Sequence, residues 1–525
     1  MLRRNVSVLA VICVAAMLIS WTESSFAHEQ GTGAKTAKAA TAQAQKSQAV
    51  ASKPARGAGK KAALKAMPLT TASVKARDLY QRAVQDFELL YLERANIGWR
   101  AAAKEDPEFA AAFAMVAMNS RDPEEIRSAR EKATELAPKA SAGERLMIRW
   151  IADVQEGKFL DGIAAMNDLI AMFPKDKHMY YLAANWLMGV RGEEQAHYLL
   201  HKALGIDPNF APALNNLAYL HARERNFDEA LESIDLYASQ LPKEPNPQDS
   251  YGEILRLAGR FEASIVHYRT ALAIDPNFNT SQLGLGDTYA LMGDQERARQ
   301  EYDKAIEKEP NAANRFDYRM QKAVTWVREK NYTEADRELW RISVEAHGQS
   351  YELQEAQALR RMAQYAADDQ LAVERLAAAE DALTHRQNLS PADRDEELAQ
   401  ILRLRALRLT HAAKTEDAQK ALNRLGELAA NNRTLTIQEC WHGAAGEMLA
   451  AQGNFKEAVA ELEEDQENPA SLAVLVNAYK EAGAQDKSRA AAERLQAMRL
   501  PSLERVLAGV EVGGPAQTQQ PVAKQ

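Results

Sequence analysis

Apolar and small residues recur along the middle of the chain at the spacing of paired amphipathic helices. Ala298 is followed by Tyr302 four positions later and by Ala305 three positions after that. Steps of i, i+4 and i, i+3 place side chains on one face of a helix. Leu285 and Tyr289 repeat this spacing in the segment before. The pattern predicts a unit of two helices, each of which must bury one stripe against a neighbour.

This unit recurs with a period of 34 residues. The period is marked by prolines at 174, 208, 242, 276 and 310. Matching positions carry small residues (Ala196, Ala230, Ser264 and Ala298), then large apolar residues (Leu200, Ile234, Tyr268 and Tyr302). Small residues let two helices approach closely, and the larger ones fill the space between them. A fixed period of this length is typical of a repeat array, in which units stack on each other.

Turn residues mark where the helices end. Gly293 follows the first helix of one unit, and Pro310 closes its second helix. In the proline-rich stretch 242–247, Asn246 is predicted to cap a helix whose first turn holds Pro247. After Pro310 the phase shifts by three residues. Two helix pairs are still expected in 351–432, where the periodicity is helical but the repeat residues are missing.

The unit resembles the tetratricopeptide repeat (TPR) family. The residues that carry the resemblance are Leu285, Gly286, Tyr289, Ala298, Tyr302, Ala305 and Pro310, with Gln282 in place of the usual aromatic residue. The resemblance implies an all-α fold. It would be a TPR-type α-solenoid of stacked antiparallel helix pairs that form a right-handed superhelix.

The breaks in the period divide the chain into segments. We predict a signal peptide (1–27), a disordered basic linker (28–70), degenerate TPR-like repeats (71–176), a regular TPR array (177–312), divergent helical repeats (313–435), C-terminal TPR-like repeats (436–501) and a disordered tail (502–525). The chain of 525 residues is too long for one compact core, and an array grows lengthwise instead.

The N-terminus has the pattern of an export signal. Arg3 and Arg4 precede an apolar stretch at 6–19, and Ser25 and Ala27 frame a small-x-small cleavage site. We predict an exported protein that is periplasmic or secreted after cleavage near Ala27. An uncleaved N-terminal membrane anchor is the alternative. Cleavage would exclude stable membrane insertion.

Charge is unevenly distributed between the linker and the rest of the chain. Eight basic residues in 28–67 face a single acidic one, a net charge of +7, whereas the whole chain carries −8. Such a polar, charged segment is predicted to be disordered, and it allows weak contact with an anionic surface. No nucleic acid partner is expected. After cleavage, Cys440 would be the only cysteine, so no internal disulfide can form.

The sequence offers little catalytic chemistry. His197 and His201 have the i, i+4 spacing of a metal-binding pair, with Glu194 as the nearest third ligand, but no zinc-protease glutamate lies between them. We predict no metal, no cofactor and no catalytic residue. The acidic run that ends at Asp465 is predicted to be a solvated helix end.

The resemblance implies a concave groove lined by the first helices of successive units. Carried onto this sequence, the groove positions are Tyr181, Asn185, Asn215, Tyr219, Arg223, Asp249, Glu253, Arg256 and Asp287. Asparagine amides can pair with a peptide backbone, tyrosines add contact area, and arginines bind carboxylates.

The predicted function is that of a non-catalytic exported scaffold. It would bind a protein or peptide of unknown identity along 177–310. Two alternatives stay open: a self-assembling structural component of the cell envelope, and, more remotely, an enzyme with a site in 346–435.

Overall fold

The computed structural model describes residues 66–190, 192–384, 389–432 and 434–511. In these ranges the chain is entirely helical, with twenty-five α-helices, two short 3-10 helices and no strand. Consecutive helices form twelve pairs, α1–α2 through α23–α24, and a single helix, α25, follows. The predicted signal peptide and most of the predicted linker lie outside the described residues.

The helices are numbered in chain order. The first seven pairs are α1 Val74–Glu88, α2 Leu92–Glu105, α3 Ala110–Asn119, α4 Pro123–Leu136, α5 Ala142–Gln155, α6 Phe159–Met172, α7 Lys177–Gly189, α8 Glu193–Ile206, α9 Ala211–Arg223, α10 Phe227–Gln240, α11 Pro245–Leu257, α12 Phe261–Ile274, α13 Asn279–Met292 and α14 Gln295–Lys308. The remaining helices are α15 Ala312–Arg328, α16 Tyr332–Gln349, α17 Glu352–Gln364, α18 Asp369–Ala382, α19 Pro391–His411, α20 Thr415–Asn431, α21 Leu435–Ala451, α22 Phe455–Leu462, α23 Pro469–Glu481, α24 Gln485–Ala497 and α25 Leu503–Glu511.

The 34-residue period corresponds to the packing of one pair. Ala298, Tyr302 and Ala305 are completely buried, as the predicted stripe requires. A Cβ atom at Gly286 would lie 2.7 Å from the ring of Tyr302, so only glycine allows these two helices to approach this closely. Helix α13 ends before Gly293, whose φ of 90° is in the left-handed region.

The proline-rich turn begins its helix earlier than the sequence indicated. Helix α11 starts at Pro245, and Glu244 occupies the N-cap position. Asn246 is instead buried inside the first turn, where its Oδ1 accepts a hydrogen bond from the Tyr237 hydroxyl at 2.7 Å. The prediction of Asn246 as the N-cap is therefore wrong. Proline at the first helical position needs no backbone donor.

The loss of phase after Pro310 comes from helix length. The pairs of the regular array use helices of 13 or 14 residues, as in α13 and α14. Helices α15 and α16 have 17 and 18 residues, and α19 has 21. Additional turns displace the next stripe along the sequence. The two expected helix pairs in 351–432 are present as α17–α18 and α19–α20.

Two predictions about the C-terminal part are wrong. The chain between Leu503 and Glu511 is helix α25, although the sequence placed it in a disordered tail. Helix α25 packs against α15 and α23. Asp465 in the acidic run is buried at 1% exposure and pairs with Arg403 at 2.7 Å, so this end of the run is not solvated.

The array curls until its first pairs meet later ones. The Tyr91 hydroxyl donates a hydrogen bond to Glu244 at 3.0 Å, and its ring lies edge-on to Phe278 at 5.6 Å. Further along, Arg121 pairs with Asp317, 196 residues away. The N-terminal pairs therefore cover the segments that begin α11, α13 and α15.

Candidate functional site

The nine predicted groove residues lie on the first helices of four consecutive pairs, α7, α9, α11 and α13. Seven are buried, namely Tyr181, Asn215, Tyr219, Asp249, Glu253, Arg256 and Asp287, whereas Asn185 is half-buried and Arg223 is exposed. Most of these side chains therefore lie between helices and not on an open floor.

Three of the buried residues form one polar cluster between α9 and α11. The Tyr219 hydroxyl donates to Glu253 Oε2 at 3.1 Å, and Arg256 Nη2 donates to Glu253 Oε1 at 3.1 Å. Burial, with the nearby carboxylates of Glu253 and Asp249, raises the pKa of Tyr219 well above its ordinary value. Tyr219 therefore stays protonated and remains a donor to the carboxylate.

The two buried aspartates also join helices. Ser281 Oγ donates to Asp249 Oδ1 at 2.6 Å, which links α11 to α13. The Tyr302 hydroxyl donates to Asp287 Oδ1 at 2.6 Å, which links the two helices of one pair. Because a buried polar group must find a partner, these contacts fix how neighbouring helices sit on each other.

The two remaining groove positions contact the neighbouring pair. Asn185 Oδ1 accepts a hydrogen bond from Asn216 Nδ2 at 3.5 Å. Arg223 Nη1 donates to the main-chain oxygen of Met188 at 2.8 Å and pairs with Glu193 at 2.7 Å. Both contacts connect α9 to the pair α7–α8. That these nine residues contact a ligand stays a prediction.

The chain's own C-terminal segment, residues 498–511, crosses the carboxyl-terminal ends of the first helices. Four side chains donate hydrogen bonds to main-chain oxygens of this segment or of the residue just before it. Arg225 donates to Ala497 at 3.2 Å, and Arg256 donates to Arg499 at 3.3 Å. Arg328 donates to Leu500 at 3.5 Å, and Gln321 donates to Pro501 at 2.7 Å. The main chain is extended at Met498, with φ −69° and ψ 110°. These donors therefore contact the backbone and not particular side chains.

Helix α25 adds apolar contacts to these hydrogen bonds. Leu503 is 3% exposed and packs in a cluster with Val324, Val327 and Ala335. The turn between α15 and α16 thus provides an apolar pocket next to the arginines that hold the extended chain. Burying a leucine side chain contributes about 2 kcal/mol.

A carboxylate of the C-terminal segment lies in the electrostatic field of two arginines of α17. Burial raises the pKa of Glu504, but Arg360 and Arg361 more than offset this effect, and the net shift is downward. Gln364 Nε2 also donates to Glu504 Oε1 at 3.1 Å. Glu504 therefore stays ionised and adds an electrostatic anchor to the apolar one.

Sequence reasoning missed this contact surface. Arg225, Gln321 and Arg328 stand at positions to which the repeat pattern assigns no role. The signal available was the spacing of Leu503, Val506 and Leu507 after Pro501, which is that of a short amphipathic helix.

The histidines of α8 meet a third histidine in the folded chain. His197 stacks on His201 with ring centroids 5.5 Å apart, and His221 of α9 lies edge-on to His197 at 5.1 Å. Ligand-capable atoms of His197, His221 and Glu224 lie within 4.8 Å of one another. The carboxylate that joins the group is therefore Glu224, and not Glu194 as the sequence suggested.

Two family models match the regular part of the array. One, described as TPR repeat, covers residues 252–293, and the other, described as Tetratricopeptide repeat, covers 280–311. The chain is thus similar to the tetratricopeptide repeat proteins over residues 252–311. Its fold is an all-α, TPR-type solenoid. This fold is evidence that the chain acts as a scaffold for protein interactions.

The sequence relatives share less than a third of their own length with this chain. The TPR repeat-containing protein YpiA of Bacillus subtilis is 25% identical over 22% of this chain and 29% of its own length. The human protein O-mannosyl-transferase TMTC1 is 26% identical over 34% of this chain and 21% of its own length. The crystal structure of yeast Tom70 aligns with 80% of this chain and 96% of its own chain, at 16% identity and a TM-score of 0.42.

Proposed function

We propose that this protein is a non-catalytic scaffold whose array binds an extended segment of a partner protein. The observation that supports this most directly is the set of four side-chain donors on the main-chain oxygens at Ala497, Arg499, Leu500 and Pro501. Donors aimed at a backbone recognise the extended conformation whatever the side chains are. The surface of Arg225, Arg256, Gln321 and Arg328 is called the arginine track below.

The C-terminal segment also indicates what kind of partner fits. Its extended stretch leads into a short helix that places Leu503 in an apolar pocket and Glu504 beside Arg360 and Arg361. We therefore propose a partner segment with an extended stretch of a few residues, followed by a leucine and an acidic residue at the start of a helix.

Competition between the partner and the C-terminal segment follows from this arrangement. A tethered segment acts at an effective concentration of up to about millimolar. A free peptide of the same sequence must therefore compete with it in the wild-type chain. Release of the C-terminal segment would expose the arginine track to the partner.

Export is the second part of the proposal, and it rests on the signal pattern of residues 1–27. No helix in the described ranges is long and apolar enough to cross a membrane. Cell fractionation with N-terminal sequencing tests export, because cleavage after Ala27 would leave His28 as the first residue. A mature protein that still begins at Met1 would favour the membrane-anchor alternative.

Binding is tested with the full chain and a fluorescent peptide of residues 498–511. The Leu503→Asp variant should release the native segment, because an aspartate cannot remain in the apolar pocket. We expect this variant to bind the peptide at least about tenfold more tightly than the wild type. Leu371→Asp is the matched control, since Leu371 is exposed on α18 and lies outside the apolar cluster that holds Leu503.

The site is tested by removing two donors of the arginine track. Adding Gln321→Ala and Arg328→Ala to the Leu503→Asp chain should weaken peptide binding by about tenfold or more. The hydrogen bond from the charged Arg328 contributes about 1.5–3 kcal/mol, and that from the neutral Gln321 amide about 0.5–1.5 kcal/mol. A Leu503→Asp chain with wild-type circular dichroism that does not bind the peptide would sink the proposed function. Crosslinking in the native envelope would then be needed to find another surface.

A further inference from the structure

Two histidines and a carboxylate converge where one helix pair packs on the next. His197 lies on α8, the second helix of its pair, and His221 lies on α9, the first helix of the following pair. Glu224 directly follows α9. Their ligand-capable atoms lie within 4.8 Å of one another, and the rings of the two histidines are 5.1 Å apart in an edge-on arrangement.

The state of these groups suits metal binding. An imidazole nitrogen without a hydrogen-bond partner in the protein is available as a metal ligand. His221 Nδ1 is buried and forms no hydrogen bond within the protein.

The arginines on either side of Glu224 each have partners elsewhere in the chain. Arg223 pairs with Glu193 and donates to the Met188 oxygen, and Arg225 donates to Ala497. Glu224 is exposed, and its Oε2 accepts a hydrogen bond from Asn226 Nδ2 at 3.1 Å. The oriented carboxylate of Glu224 thus lies close to the imidazoles of His197 and His221.

We propose that His197, His221 and Glu224 form a site for a zinc-class divalent cation that clamps the pair α7–α8 to the pair α9–α10. Two imidazoles and one carboxylate are ligands that Zn²⁺ accepts, with a fourth position open to water. In a tetrahedral site the ligand atoms stand about 3.4 Å apart, so the site closes when the three side chains approach each other by about 1.4 Å or less. Nitrogen ligands exclude Mg²⁺ and Ca²⁺ as preferred ions.

The site shares no residue with the arginine track, although Glu224 directly precedes Arg225, and its role follows from its position. A cation held by residues of two pairs binds only when those pairs are stacked. It therefore stabilises this junction by an amount that grows with its concentration above the dissociation constant. Array geometry near α8 and α9 would then depend on the metal.

The test is a titration of the full chain, purified without a histidine tag and treated with chelator, with Co²⁺ alone and then with Zn²⁺. We expect one Co²⁺ per chain with the intense visible absorption of a four-coordinate site, displaced by Zn²⁺. His197→Ala and His221→Ala should each weaken binding by at least about tenfold. Glu224→Gln, which keeps the shape and removes the charge, should weaken it as well.

His267→Ala is the control, since this histidine stacks on Tyr251 and lies outside the cluster. Zn²⁺ should raise the melting temperature of the wild type and of His267→Ala, but not that of His221→Ala. The proposal is overturned if the wild type gives no four-coordinate signal. It is equally overturned if His201→Ala abolishes binding while His221→Ala leaves it unchanged, because the ligands would then be the surface pair on α8.

Discussion

Arg256 donates a hydrogen bond to the main-chain oxygen of Arg499, 243 residues further along the chain. Through its other terminal nitrogen the same guanidinium pairs with Glu253 at 3.1 Å. One buried arginine therefore connects the polar cluster between α9 and α11 to the C-terminal segment. Because a buried charge needs its partners, the packing of the array and the position of the C-terminal segment are linked energetically.

Release of the C-terminal segment should be visible by proteolysis. Arg499 and Arg505 lie in the segment that the arginine track and the apolar pocket hold. In Leu503→Asp an unpaired charge enters this pocket, so trypsin should cleave after both arginines several-fold faster than in the wild type. Mass spectrometry of the early fragments measures this. The exposed-site variant Leu371→Asp should be cleaved there at the wild-type rate, and equal rates in all three chains would contradict a held segment.

The close approach at Gly286 predicts a cost for the smallest possible side chain. A Cβ atom there would lie 2.7 Å from the Tyr302 ring, so Gly286→Ala should destabilise the chain by about 1–3 kcal/mol in urea denaturation. Gly348 is the matched position, a glycine at the exposed end of α16 with no atom within 4 Å of a new Cβ. Gly348→Ala should be neutral or stabilise by up to about 1 kcal/mol. A similar effect of both substitutions would contradict this account of the glycine.

Asp465 should matter far more than its neighbours in the acidic run. It accepts from Arg403 and from Ser471 Oγ, both at 2.7 Å, while Arg403 also pairs with Glu447 at 2.7 Å. Asp465→Ala removes one partner of a buried arginine, so we expect a loss of about 3 kcal/mol, reduced by the pair that remains. The adjacent Glu464 is exposed, and Glu464→Ala should change the unfolding free energy by less than about 0.5 kcal/mol. Denaturation followed by circular dichroism compares the two, and equal losses would show that burial of Asp465 contributes nothing.

The repeat body could be predicted from the sequence because its information is local and periodic. Ala196, Ala230 and Ala298 recur at one phase, and all three are completely buried. Contacts of this kind join each helix to its neighbour in the chain, so a period of 34 residues is enough to locate them. Where helices are longer, as in α19, the 34-residue period no longer locates the buried positions.

The closure of the array could not be predicted in this way. Tyr91 and Glu244 are 153 residues apart, and no period relates them. The predicted groove positions lie on the first helices of their pairs, but most are buried between neighbouring helices. The contacts of Arg328 and Gln321 with the C-terminal segment depend on how far the solenoid curls, which is set by the sum of many small angles between pairs.

A pH dependence should come from the carboxylates at the start of α19. Burial raises the pKa of Glu396 well above its ordinary value, and the nearby Asp393, Glu397 and Asp395 add to this. Burial likewise raises the pKa of Asp393 to about 6. Above about pH 4.5 these carboxyl groups have lost their protons in the unfolded chain but keep them in the folded chain. The free energy of unfolding therefore falls as the pH rises from about 4.5 through the raised pKa values of the folded chain.

Glu396→Gln removes this titration while it preserves the shape of the side chain. The variant should be more stable than the wild type at pH 8, and the difference should shrink towards pH 5, as measured by the urea midpoint at each pH. Glu397→Gln is the matched control, because Glu397 pairs with Arg360 at 2.5 Å and its neutralisation should destabilise the chain. If Glu396→Gln changed the midpoint equally at both pH values, its effect would come from packing. The carboxylate would then not be the group whose ionisation opposes folding.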